Sequence, residues 1–124
     1  MKKISLITFF VLLSFNAQSQ LIKMRTTEAK YRIGDRSWTN WTRFEYLAII
    51  NADSRNLTIY CEPKEVYEII SKNSPNSDLG IIASFNCVDI KGDECVVELK
   101  NDDINQEFLI NIKYTNSIMV IKYN

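Results

Sequence analysis

The sequence contains no histidine, only three glycines and two prolines, and just three cysteines. Without histidine there is no Ser-His-Asp triad, no Cys-His nucleophile pair and no histidine-based metal centre. With glycine confined to Gly34, Gly80 and Gly92, no glycine-rich loop is present to cradle a phosphate. The cysteines Cys61, Cys87 and Cys95 form no closely spaced pair, so structural zinc is not expected. There is also no excess of charge: 15 basic and 15 acidic residues balance. A basic face for nucleic acid is therefore not indicated, and an anionic membrane is not an expected partner.

What is present begins at the amino terminus. Lys2 and Lys3 precede an apolar stretch from Ile4 to Phe15, followed by Asn16-Ala17-Gln18-Ser19-Gln20. Basic, apolar and small-residue parts in that order make a secretory signal peptide, with Ala17 and Ser19 small enough for the subsites of a signal peptidase. The stretch is shorter than the ~20 apolar residues a spanning helix needs, so no stable membrane anchor is expected. The reading is a signal peptide over residues 1–19 and a single domain over 20–124, periplasmic or secreted. Loss of Lys2 and Lys3 takes the formal charge from zero to −2. An apolar share of 46% is ordinary for a globular chain and too high for disorder.

From Thr42 onward, short β-branched and aromatic runs alternate with Asn, Asp, Ser and Gly, the pattern of antiparallel strands and tight turns. Phe44, Tyr46, Ala48 and Ile50 mark one face of a strand over residues 42–51. Leu57, Ile59 and Cys61 mark the next. The stretch Glu62 to Ser71 has both helical spacing, with Pro63 able to open a helix, and strand spacing; its Val, Tyr and two Ile favour a strand from about Glu65 to Ser71. Strands follow at about Ile81 to Asp89, Val96 to Leu99, Phe108 to Tyr114 and Met119 to Tyr123. The expectation is an all-β, antiparallel meander of about seven strands, folded as a small sandwich or a partly open barrel, with a less regular lead-in from Leu21 to Trp41.

Asp89-Ile90-Lys91-Gly92 carries Asp at the first and Gly at the fourth position of a type I turn, the three-residue hairpin with a glycine bulge. Counting outward from it sets Cys87 opposite Cys95. In an oxidising compartment that register makes a Cys87 to Cys95 disulfide the first expectation, and a one-residue slip would separate them and bring Cys61 into play. The caution is that the same count makes them a hydrogen-bonded pair, with Cα atoms ~5.5 Å apart, a spacing still within disulfide range.

Trp38 and Trp41, with Tyr31 and Phe44 nearby, are candidate contact aromatics for a sugar ring or a protein partner. The more economical reading has them closing the bottom of the β core. Asp89, Asp93 and Glu94 cluster at one hairpin tip and Asp102 and Asp103 at another. Acidic residues at such positions are ordinarily turn formers, and neither tip has EF-hand spacing. No catalytic, cofactor-binding or metal-binding residue is assigned.

The signal ending in Ala17-Gln18-Ser19-Gln20, the Trp38 region and the Cys87-x-Asp89-x-x-Gly92-x-x-Cys95 turn resemble small exported all-β proteins of Gram-negative bacteria, mostly of unknown function. That resemblance implies export and a β fold but assigns no residue a role. The functional expectation is a non-enzymatic binding domain acting on a protein or cell-envelope partner, without nucleic acid or cofactor. The alternatives are a carrier for a small apolar ligand in a barrel-like cavity, and a carboxylate-dependent hydrolase.

Overall fold

Period-2 alternation becomes a sheet along most of the stretches that carry it. The computed structural model describes residues 21–102 and 105–124. The signal peptide and the middle of the Asn101 to Asn105 turn lie outside the described residues. Nine strands follow in chain order: β1 (Leu21–Ile33), β2 (Thr42–Arg43), β3 (Leu47–Asn51), β4 (Asn56–Ile59), β5 (Glu65–Asn73), β6 (Ile81–Val88), β7 (Glu94–Asp102), β8 (Glu107–Lys113) and β9 (Ser117–Tyr123). Every pairing is antiparallel. The all-β meander is therefore as expected, and the ambiguous segment at Glu65 is a strand.

Two expectations need correction. The sheet is neither a sandwich nor partly open: β1 pairs with β3 on one side and with β9 on the other, closing eight strands into a barrel with β2 as an extra strand. The lead-in, expected to be irregular, supplies that closing strand. Its first half, Leu21 to Arg25, pairs with β3, and its second half, Thr26 to Ile33, pairs with β9. A bulge between Thr26 and Glu28 separates the halves. A bulge adds a residue and reverses the facing of everything after it, so Met24 and Thr26 are buried before it and Ala29 after it. The hydrophobic alternation is thus split into two out-of-phase halves.

The expected strand over residues 42–51 is broken into β2 and β3. Thr26, fully buried, bridges the break. Its Oγ1 accepts the Tyr46 N–H at 2.8 Å and lies within hydrogen-bonding reach of the Phe44 and Tyr46 carbonyls. Thr26 N–H also donates to the Tyr46 carbonyl at 2.9 Å and Phe44 N–H to the Thr27 carbonyl at 2.8 Å, so the hydroxyl supplements backbone bonds across the break.

Inward positions from all eight barrel strands meet in one apolar cluster. At its centre Ala48, Ile59, Ile110 and Ile121 have no accessible surface, and Leu57, Val97 and Ile112 have about 1% each. A water-sized hole beside these side chains would give them accessible surface, so the middle of the barrel is filled. Outward positions include Arg25, Thr58, Asn86, Glu98, Asn111, Lys113 and Lys122. Among them Lys113 pairs with Glu98 at 2.9 Å, and the Asn86 amide donates to Ser71 Oγ at 2.9 Å. Apolar residues such as Ile49, Val96, Leu109 and Val120 also face outward, so the outer wall is mixed whereas the interior is apolar.

The hairpin between β6 and β7 has the expected form. Asp89 N–H donates to the Asp93 carbonyl at 2.9 Å and Gly92 N–H to the Asp89 carbonyl at 3.0 Å, with Gly92 at φ +89°. Cys87 does stand opposite Cys95. The expected disulfide, however, is not formed: Cys61, Cys87 and Cys95 are all free thiols. Asp89 and Asp93 are a hydrogen-bonded pair, so two residues further along Cys87 and Cys95 are one as well, the wider of the two cross-strand spacings. Both side chains enter the packed interior, 2% and 5% exposed, where each behaves as a small apolar residue.

Candidate functional site

The two tryptophans lie outside the core, which corrects the expectation that they close its base. Trp38 is 36% exposed and Trp41 is half-buried. Both belong to the connection from β1 to β2, which folds back along β1. Thr39 N–H donates to the Tyr31 carbonyl at 2.9 Å, Tyr31 N–H donates to Thr39 Oγ1 at 3.0 Å, and Thr42 stands opposite Ala29. Lys30 and Arg32, two residues apart on β1, share one face of the strand.

The result is a ladder of cations and indoles along the outside of the β1–β9 seam. The Arg32 guanidinium lies 5.0 Å from the Trp38 ring centre. Lys30 Nζ lies 4.9 Å from Trp38 and 4.7 Å from Trp41. Lys122 Nζ, from β9, lies 4.2 Å from Trp41. Each such contact contributes about 0.5–1 kcal/mol at an exposed site, and together they fix the ring planes. Lys122 also bonds Glu28 Oε1 at 3.2 Å and Glu107 Oε2 at 3.1 Å. The Glu107 bond outweighs the opposing effect of desolvation and, with Glu28, holds the Lys122 ammonium above its ordinary value. Lys30 and Arg32 have no carboxylate partner among the described residues. Trp38 and Trp41 were legible as contact candidates; Lys30 and Arg32 had a signal in their i, i+2 spacing. Lys122 and Glu107 had none, because only barrel closure brings them alongside.

The end of the barrel that carries the β4–β5, β6–β7 and β8–β9 turns holds a second set of polar groups. Tyr67 Oη donates to Glu65 Oε1 at 2.6 Å, and Tyr114 Oη donates to Asp89 Oδ2 at 2.7 Å. Burial, followed by those carboxylates, raises both phenols well above the tyrosine range. Asp89 Oδ1 also accepts the Lys91 and Asp93 N–H groups at 3.0 and 2.9 Å. Partial burial acts upward on Asp89, but Tyr114, the two N–H groups and the Lys91 charge prevail and hold it below its ordinary value. Burial and the neighbouring Cys95 push the Cys87 thiol up to about 12, so it stays protonated and unreactive at neutral pH. The carboxylates of this end are engaged by tyrosines and turn backbone. At the other acidic tip Asp102 accepts the Asn105 N–H and side-chain amide, while Asp103 lies outside the described residues. No cluster able to hold a metal occurs among the described residues.

Fold and site together define a closed, filled, eight-stranded antiparallel barrel with a cation–indole ladder on its outer wall. No family model, no curated protein and no solved structure matches the chain. The roles of its residues therefore rest on their own geometry.

Proposed function

We propose that the protein is an exported, non-enzymatic binding domain, periplasmic or secreted, that meets a protein or cell-envelope partner through Trp38, Trp41, Lys30 and Arg32. The carrying observation is the exposed Trp38 with its ring held under cations that lack carboxylates of their own. Exposed tryptophan and arginine are the side chains that most often dominate binding energy at interfaces, and a preset ring plane lowers the ordering cost of association. Lys30 and Arg32 suit acidic groups on the partner. The charged residues interspersed over the outer wall, Glu98, Lys113 and Lys122 among them, and the apolar interior support a domain surrounded by water rather than lipid. The filled barrel centre speaks against a ligand carried inside it. The tyrosine-bonded carboxylates speak against a hydrolase at the turn end.

Affinity capture from a cell-envelope fraction, comparing the parent protein with Trp38→Ala, tests this reading. We expect a specific partner that Trp38→Ala loses at least ten-fold, and that dissociates as salt is raised. Capture unchanged by Trp38→Ala and by Lys30→Gln would remove this surface from the interface.

A further inference from the structure

The mouth opposite the turn end carries a second site. Here β1 begins, β3 and β4 are joined by residues 52–55, and β5 approaches the loop to β6. A recess of about 380 Å³ opens among them, with core residues Ile50 and Phe85 as its floor. Ile22, Ile69 and Ile70 form apolar walls, and Arg55 and Lys72 stand at the rim.

Strand register explains why Lys72 and Ile22 face inward. Ile22 stands opposite Ile50 and Lys72 opposite Phe85. Directly opposed residues project from the same face of a sheet, so Ile22 and Lys72 share the inward face of their buried partners. Arg55 extends the β4–β5 ladder by one step, its carbonyl accepting the Ile69 N–H at 2.8 Å. At φ +58° it is a left-handed turn residue just before β4, and its side chain lines the recess from that turn. The bulge between Ile69 and Ser71 sets Ile70 on the rim, 56% exposed. No carboxylate lines the recess, and neither cation has an ion-pair partner among the described residues. Asp53, in the same turn as Arg55, is exposed and not part of the lining.

Apolar walls with two unpaired, like-charged groups at the rim fit a ligand with an apolar tail and an anionic head. We propose that this mouth binds the carboxylate form of a medium-chain fatty acid, its chain on Ile50 and Phe85 and its head between Arg55 and Lys72. The volume is at the small end for ligand pockets. At about 30 Å³ per water-sized group it takes roughly a dozen heavy atoms, the size of decanoate. An arginine presents a planar fork to a carboxylate, and lysine adds a mobile point charge. The site is independent of the cation–indole ladder, which lies on the outer wall.

Isothermal titration calorimetry with hexanoate, octanoate, decanoate and dodecanoate tests the proposal. Affinity should rise by up to about 15-fold for each added pair of methylenes while the chain is still being buried, and level off beyond decanoate. Decyltrimethylammonium, with the same tail and the opposite charge, should not bind. The double variant Arg55→Gln and Lys72→Gln, at two exposed positions, should retain the parent circular dichroism spectrum and bind decanoate about ten-fold more weakly. Trp38→Ala should bind it unchanged. Absence of decanoate binding, equal binding of the ammonium analogue, or an unaffected double variant would each overturn the proposal.

Discussion

The two ends of the barrel solve the same problem in opposite ways. Inward-facing residues at a barrel end leave the apolar middle and reach water, so each end must be sealed or left open. At the turn end the seal is aromatic. Tyr67, 5% exposed, fills the space and directs its hydroxyl to Glu65, while Tyr114 does the same toward Asp89. At the opposite mouth the inward residues are Ile22, Ile69, Arg55 and Lys72, and a recess remains. A tyrosine carries an apolar ring and a hydroxyl that finds its acceptor locally. An inward arginine or lysine has no such partner here and stays in water. Both ends carry a recess, about 370 Å³ beside Tyr67 and Tyr114 at the turn end and about 380 Å³ at the opposite mouth; what differs is the lining, tyrosine rings with engaged carboxylates at the plug and aliphatic side chains with unpaired cations at the vestibule.

The largest effects should separate plug from vestibule. Tyr67→Ala removes a buried ring and should cost about 3–4 kcal/mol, whereas Ile22→Ala, at a position 49% exposed, should cost about 1 kcal/mol or less. Urea unfolding of the two variants measures the difference, and equal losses would erase the contrast between the ends.

A smaller effect sharpens the chemistry of the plug. Tyr114→Phe deletes a hydrogen bond to a carboxylate and should cost about 1.5 kcal/mol near neutral pH. Because Asp89 is held below its ordinary value of 3.8, its contribution is complete above that value and is lost as pH falls through the lower folded-state value. In Tyr114→Phe the Asp89 value should move upward. The acid limb of the stability curve should then be shallower, which unfolding between pH 2 and pH 6 would reveal. An identical acid limb would mean that the tyrosine is not what holds Asp89 ionised.

The smallest effect is one of reactivity. Cys61 is partly accessible beside the plug, while Cys87 and Cys95 lie inside it. A thiol reagent should label Cys61 in the native protein and the other two only on unfolding. Mass spectrometry of the unreduced protein should find no Cys87–Cys95 link. Finding that link, or fast native labelling of the pair, would show that the turn end opens.

Much of this was legible in local sequence. The Asp89 to Gly92 turn is closed by Asp89's own side chain and by a glycine at positive φ, both local devices, so the facing of Cys87 and Cys95 could be counted directly. The pairing chemistry could not, because bonding two thiols depends on the spacing of that cross-strand pair and on the packing around it. Gly80 shows another limit. A Cβ there would lie 2.5 Å from the Asn101 carbonyl oxygen, a close approach between distant residues that no local pattern announces.

By itself the sequence determined that the chain is mostly β, where most turns fall, and the alternating face of the strands from Ala48 onward, since alternation and turn chemistry act over a few residues. Tertiary structure decided the closure. β1 reaches β9 across most of the chain, and a bulge hides its alternation. That closure sets Lys122 against Trp41, turns the tryptophans outward, and gives the barrel two ends with different linings, aromatic at one and cationic at the other. Such features come from pairing between remote segments, where the partner's position rather than the local residue pattern fixes what each side chain meets.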